Sequence, residues 1–147
     1  MKFTDWYEVE KDAKVLIVEK NTETIEQYKN NKYDYIYLNG ILENANKFFE
    51  TTNPYFDLLV FFKGLLTEKG TLFIAVNNAK GVQYIAGKKS EHCKKIYDSL
   101  ENQFDKGKLF TKKELEKIIS TLGLKNKKMY YPLPNYEIPN VIFTDNY

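Results

Sequence analysis

Two short apolar runs, KVLIVE at 14–19 and YDYIYL at 33–38, are joined by 14 residues from Glu19 to Lys32, and this spacing constrains the chain more than any other feature. A parallel crossover needs a dozen or more residues, so the runs fit two parallel strands with a connection between them. The first run is continuous, β-branched and flanked by polar residues, which predicts a buried strand at Val15–Val18. Asn21 is placed to cap a short helix reaching about Lys29, with Ile25 and Tyr28 on one face. The second strand, Tyr33–Leu38, closes at Asn39-Gly40.

Asn53-Pro54 is a helix start, a capping side chain followed by proline at the first helical position. The helix it opens, Tyr55–Leu66, is apolar on most of its circumference and is expected to be largely buried. Glu68-Lys69-Gly70 then turns the chain into a third strand, Thr71–Val76, ending at Asn77-Asn78. Thr111 and Glu114 form a capping box for a helix whose Leu115, Ile118, Ile119 and Leu122 fall at helical spacing before Gly123 stops it. Lys125–Tyr131 and Ile138–Phe143 read as two strands of an antiparallel pair joined by Pro132–Glu137. Strands alternating with helices and ending in a hairpin predict an α/β fold, a three-layer Rossmann-like sandwich. Its sheet is expected to be mostly parallel, of about five strands, with a C-terminal antiparallel hairpin. At 147 residues, 43% hydrophobic and 16% aromatic, the chain is expected to form a single domain with a core of its own.

Composition narrows the chemistry. Cys93 is the only cysteine and His92 the only histidine, so an intramolecular disulfide and a Cys/His metal set are excluded, no metal is expected, and any histidine-based catalysis must use His92. The opening residues 1–10 have no apolar signal core and no run approaches a membrane span, which makes a cytoplasmic location, away from the membrane, the expectation. All 22 basic residues are lysine and the net charge is +2, which removes bidentate guanidinium recognition and argues against nucleic-acid binding. The lysines are unevenly placed: Lys80, Lys88, Lys89, Lys94 and Lys95 face Glu91 alone in sequence. A solvated loop is the preferred reading of that stretch, with an anionic ligand or partner as the alternative.

Five segments carry a family likeness: YDYIYLNGILENA (33–45), FFKGLLTEKGTLFIAVNN (61–78), GVQYIAGKKSEH (81–92), LFTKKELEKIISTLGL (109–124) and YYPLPNYEIPNVIFTD (130–145). Together they resemble the C-terminal half of class I S-adenosylmethionine-dependent methyltransferases, most of all a subgroup associated with bacterial cell-surface polysaccharide synthesis. The likeness spans about three quarters of the chain. The Tyr-Tyr-Pro-x-Pro-x-Tyr run at 130–136, with Ala86-Gly87 and Glu91-His92, is its more specific part. The resemblance implies S-adenosylmethionine as cofactor, Glu19 as the acid that accepts the ribose hydroxyls, and Asn39 and Gly40 at the strand tip lining the methyl-transfer pocket.

Other positions have two readings each. Asn77 and Asn78 end the third strand, where they either hydrogen-bond a substrate or make a turn. Tyr131, with Tyr130 and Tyr136, either stacks on a sugar or nucleotide or packs down on the sheet. His92 is the candidate general base, coupled to Glu91, against the plainer reading of a solvated loop pair.

The N-terminal part departs from the family. Class I methyltransferases follow their first strand with a Gly-rich loop that lets the backbone approach the cofactor, and here no glycine precedes Gly40. Either Val15–Val18 is the first strand with its loop rewritten, or the start of the first strand is fused to the end of the second. Fusion is favoured, because Val18-Glu19 runs directly into the Asn21 cap. The implied function is a methyltransferase-like domain degenerate in cofactor binding, with S-adenosylmethionine either still bound or lost; the alternative is a non-catalytic Rossmann-like interaction module. Loss of covering strands would leave Val15–Val18 at a sheet edge, predicting a homodimer or a protein partner there, with Trp6 and Tyr7 in or beside the contact. The competing arrangement folds residues 1–12 back over the edge and leaves a monomer.

Overall fold

Parallel pairing accounts for the first half of the molecule. In the computed structural model, which describes residues 5–101, 104 and 106–145, β1 (Val15–Glu19) pairs in parallel with β2 (Tyr33–Asn39), and β2 with β3 (Leu66–Ala75). The sheet order is β1-β2-β3, which puts β1 on an edge. The carboxylate of Asp34 fixes the start of all three strands: it accepts from the Lys14 backbone N–H at 2.9 Å and from the Thr67 hydroxyl at 3.0 Å. The expected turn at Glu68–Gly70 is instead a bulge inside β3, since Tyr33 faces Leu66 while Tyr35 already faces Thr71. Gly70 allows it, because a Cβ there would lie 3.0 Å from the Thr67 carbonyl oxygen.

β1 is only half buried. Leu16 and Val18 point into the core, whereas Val15 and Ile17 are exposed on the opposite face, the alternation of a strand covered on one side. On that second face Tyr37 is buried and stacks on Phe73, ring centroids 4.4 Å apart. The helix expected over Asn21–Lys29 is reduced to a 3₁₀ turn at Glu26–Tyr28. Thr22, Thr24 and Ile25 are β-branched, and Ile25 at the cap position offers no side-chain acceptor, so a nucleus as costly as a helix start is not stabilised.

α1 (Pro54–Gly64) starts as the sequence indicates, with the Asn53 side chain accepting from the Phe56 N–H at 3.2 Å and Pro54 in the first turn. Its burial is narrower than its composition suggests: Leu58, Leu59 and Phe62 form the buried stripe, and Val60 is exposed. Phe62 meets the Tyr28 ring at 6.3 Å, tying the 3₁₀ turn to the helix.

Contacts divide the chain into two compact units, Val9–Val76 and a second made of Met1–Glu8 with Asn77–Tyr147. In the second, Ala79, Tyr84 and Leu109 form a small core with Leu100 and Phe104 against it. A four-residue helix, α2 (Val82–Ile85), lies in the lysine-rich stretch expected as a solvated loop. α3 (Lys112–Ser120) has both halves of its capping box, and Gly123 takes the left-handed φ of 69° that ends it. β4 (Tyr130–Leu133) and β5 (Val141–Thr144) pair antiparallel, shorter than expected and shifted toward the C-terminus. Trp6 rests on Tyr130 with ring centroids 4.5 Å apart.

The protein is therefore mixed α/β, with a three-stranded parallel sheet and a separate two-stranded antiparallel one. The expectation of about five strands in one sheet is met only in part. Pro132 brings no N–H to β4, which suits it to a short two-stranded ribbon better than to the interior of a larger sheet. Among the described residues no helix is long and apolar enough to cross a membrane.

Candidate functional site

Parallel strands end together, and their carboxyl ends are where sheets of this kind place ligands. Register aligns Glu19, the last residue of β1, with Asn39, the last of β2. The Asn39 amide nitrogen donates to the Glu19 carboxylate at 3.2 Å. Asn39 is only 8% exposed, and its carbonyl oxygen Oδ1 is buried with no hydrogen-bond partner. Leaving a buried acceptor unmade costs about 1–3 kcal/mol, and a donor group of a ligand at the strand ends would satisfy it.

Gly40 continues the site. Its φ of 75° turns the chain out of β2 into a 3₁₀ segment, Ile41–Lys47, while its N–H donates to the Ala75 carbonyl at 2.8 Å and holds the β2 and β3 ends together. The residue that sequence reasoning missed is Glu43, 2% exposed in that segment. Its signal is present in the sequence: a carboxylate set between Ile41, Leu42 and Ala45 has apolar neighbours that all face inward.

These residues fit the implied cofactor in part. Glu19 and Asn39 together offer acceptors of the kind a ribose or another vicinal diol requires. The segment after β1 lacks the other half. It turns at once, with the Thr22 N–H on the Glu19 carbonyl at 3.0 Å, and every residue from Glu19 to Asn39 carries a Cβ. No glycine loop of the kind the resemblance implies for the methionine part of S-adenosylmethionine follows β1.

The remaining candidates lie in the second unit and have local partners of their own. Asn77 accepts from Gln83 Nε2 at 3.4 Å, and Asn78 accepts from the Lys80 backbone N–H at 3.0 Å, the geometry of an Asx turn. His92 departs from a solvated loop pair: it is 3% exposed, its Nδ1 is 2.8 Å from the Lys106 carbonyl, and its backbone N–H donates to Ser90 Oγ. A carbonyl only accepts, so the Lys106 contact requires the proton on Nδ1, and Nε2 lies 3.8 Å from a Glu91 carboxylate oxygen, which it attracts only when it too carries a proton. Cys93 beside it is buried, and desolvation holds its thiol above the usual range despite the Ser90 hydrogen bond, which makes it a poor nucleophile.

Tyr131 is held in a polar clamp. Its hydroxyl donates to Asp145 at 2.6 Å, and the Lys112 ammonium lies 5.1 Å from its ring centroid and 3.4 Å from the same carboxylate. Desolvation, then the Asp145 hydrogen bond, raise the phenol pKa. One ring face is thus already used by a cation. No protein-family model, curated protein or solved structure matches the chain.

Proposed function

We propose that this chain is a methyltransferase-like α/β domain, of Rossmann-like descent and related to enzymes of surface-polysaccharide synthesis, whose cofactor site is degenerate. The three-stranded sheet is the remnant of a larger, mostly parallel one, and the reading rests on the Glu19–Asn39 pair at adjacent strand ends, with one buried acceptor left over and no glycine loop beside it. Such a site retains contacts for the adenosine end of S-adenosylmethionine and lacks those for the reacting end. Titration calorimetry with S-adenosylmethionine and its demethylated product tests this. Weak, millimolar binding that Glu19→Ala reduces further is the expected result. Micromolar binding would show a complete cofactor site, and silence at millimolar ligand would remove the ligand site altogether.

Silence would leave the second reading, a non-catalytic interaction module, which the exposed Val15 and Ile17 on edge strand β1 favour. Light scattering behind a sizing column then shows self-association that Ile17→Lys abolishes; a monomer at all concentrations excludes a homodimer through this edge.

A further inference from the structure

A different surface carries an inference independent of the methyltransferase reading. Between Lys80 and Tyr97 the exposed side chains are five lysines (80, 88, 89, 94 and 95) and four large apolar groups: Val82 at 73%, Ile85 at 60%, Ile96 at 51% and Tyr97 at 50% exposure. Glu91 is the one exposed acid among them.

The stretch is built, not loose. Tyr84 anchors α2 in the core of its unit, and Ser90, His92, Cys93 and Ser99 are buried beneath the segment that follows. Two turns present the exposed groups. The first is α2 with its exit at Gly87, where Lys88 folds back to Gln83 through backbone and side-chain hydrogen bonds. The second is closed by the Lys95 N–H on Asp98 Oδ2 at 2.9 Å, and carries Ile96 and Tyr97 at its tip. The two meet: a Cβ on Gly87 would lie 3.3 Å from the Tyr97 hydroxyl oxygen. Tyr97 itself takes a left-handed φ of 71°, a conformation costly for a tyrosine, to place its ring there.

We propose that this double turn is a docking surface for an anionic lipid bilayer. Lysines among exposed aliphatic tips match an interface that offers negative head groups above an apolar boundary, and a tyrosine suits the head-group level between them. Nucleic acid would use the lysines but gains nothing from Val82, Ile85 and Ile96, and the chain has no arginine to grip phosphate in bidentate fashion. The absence of a spanning helix does not bear on surface binding, which needs none.

Co-sedimentation of the full chain with vesicles tests the proposal, using phosphatidylcholine alone and phosphatidylcholine mixed with phosphatidylglycerol, each at low and high salt. Binding is expected to the mixed vesicles only and to fall with salt. Replacing Lys88 and Lys89 by Gln should weaken it by about five-fold per lysine. Ile85→Asp with Ile96→Asp should abolish it, and the control pair Lys29→Gln and Lys47→Gln, with the same change in charge, should leave it intact. All six positions are exposed, and circular dichroism identifies any variant that loses its fold. Equal binding to neutral vesicles, equal loss in the control, or no vesicle binding at all overturns the proposal. So does binding to DNA or to polyglutamate that survives the two Asp substitutions, which would assign the surface to a polyanion.

Discussion

The two units are held together by different physics. In Val9–Val76 the fully buried residues are mainly aliphatic and aromatic, Val18, Ile36, Tyr37, Leu38, Leu58, Leu59 and Phe62, arranged by a parallel ladder. In the second unit the cluster around Ala79, Tyr84 and Leu109 is small, and local hydrogen bonds fix much of the chain: the Thr111–Glu114 box, the Asn78 and Asn135 turns, the His92–Lys106 contact. Burial is non-directional and scales with area, whereas caps and turns each contribute about 1 kcal/mol and act only where they stand.

The contrast is broken most forcefully in the sheet unit. Leu59→Ala removes a fully buried side chain and should cost about 2–5 kcal/mol, read by chemical denaturation and by faster amide exchange across Ile36–Leu38. A loss below about 1 kcal/mol would mean that this core is not what stabilises the sheet. In the second unit Thr111→Ala should cost about 1 kcal/mol through the lost N-cap. Asn39→Leu sharpens the comparison, because it removes an orphaned buried acceptor together with the hydrogen bond to the exposed Glu19: the two offset, so stability should change by less than about 1 kcal/mol while ligand binding falls. A loss beyond that would mean that Asn39 is structural.

Smaller effects depend on pH. Burial pulls the Glu114 carboxyl upward, but the Thr111 backbone N–H, Lys108 and the Thr111 hydroxyl together outweigh it, so it titrates below its ordinary value of 4.5. A carboxyl depressed on folding stabilises above its unfolded pKa and loses that contribution as pH falls through the folded one. The melting difference between the native chain and Glu114→Gln should therefore be full at neutral pH and shrink in acid below the ordinary glutamate range. Asp145→Asn should have the least effect, since both Lys112 and Asp145 are solvent-exposed and surface pairs contribute little; a clear drop in melting temperature would show that the Tyr131 clamp holds β5 to α3.

What could be read from sequence follows the same divide. β1, β2, α1 and α3 were legible because apolar runs, Asn53-Pro54 and the Thr111 box act locally. The bulge at 67–70 was not, because Gly70 serves a close approach to Leu66 and Thr67 that only strand pairing creates. Nor was the short α2, whose single buried residue, Tyr84, finds its partners Ala79 and Leu109 through tertiary contact. At the candidate site Glu19, Asn39 and Gly40 entered through the family resemblance and Glu43 could be read from its apolar neighbours, while the orphaned Asn39 oxygen and the burial of His92 depend on packing that a linear pattern does not encode.

The most direct measurement of the central claim is amide chemical-shift mapping by NMR on the isotopically labelled chain during titration with the demethylated cofactor. A degenerate site at the strand ends gives small shifts, saturating only in the millimolar range and centred on Glu19, Asn39 and Gly40. Shifts centred elsewhere, or none at all, contradict it.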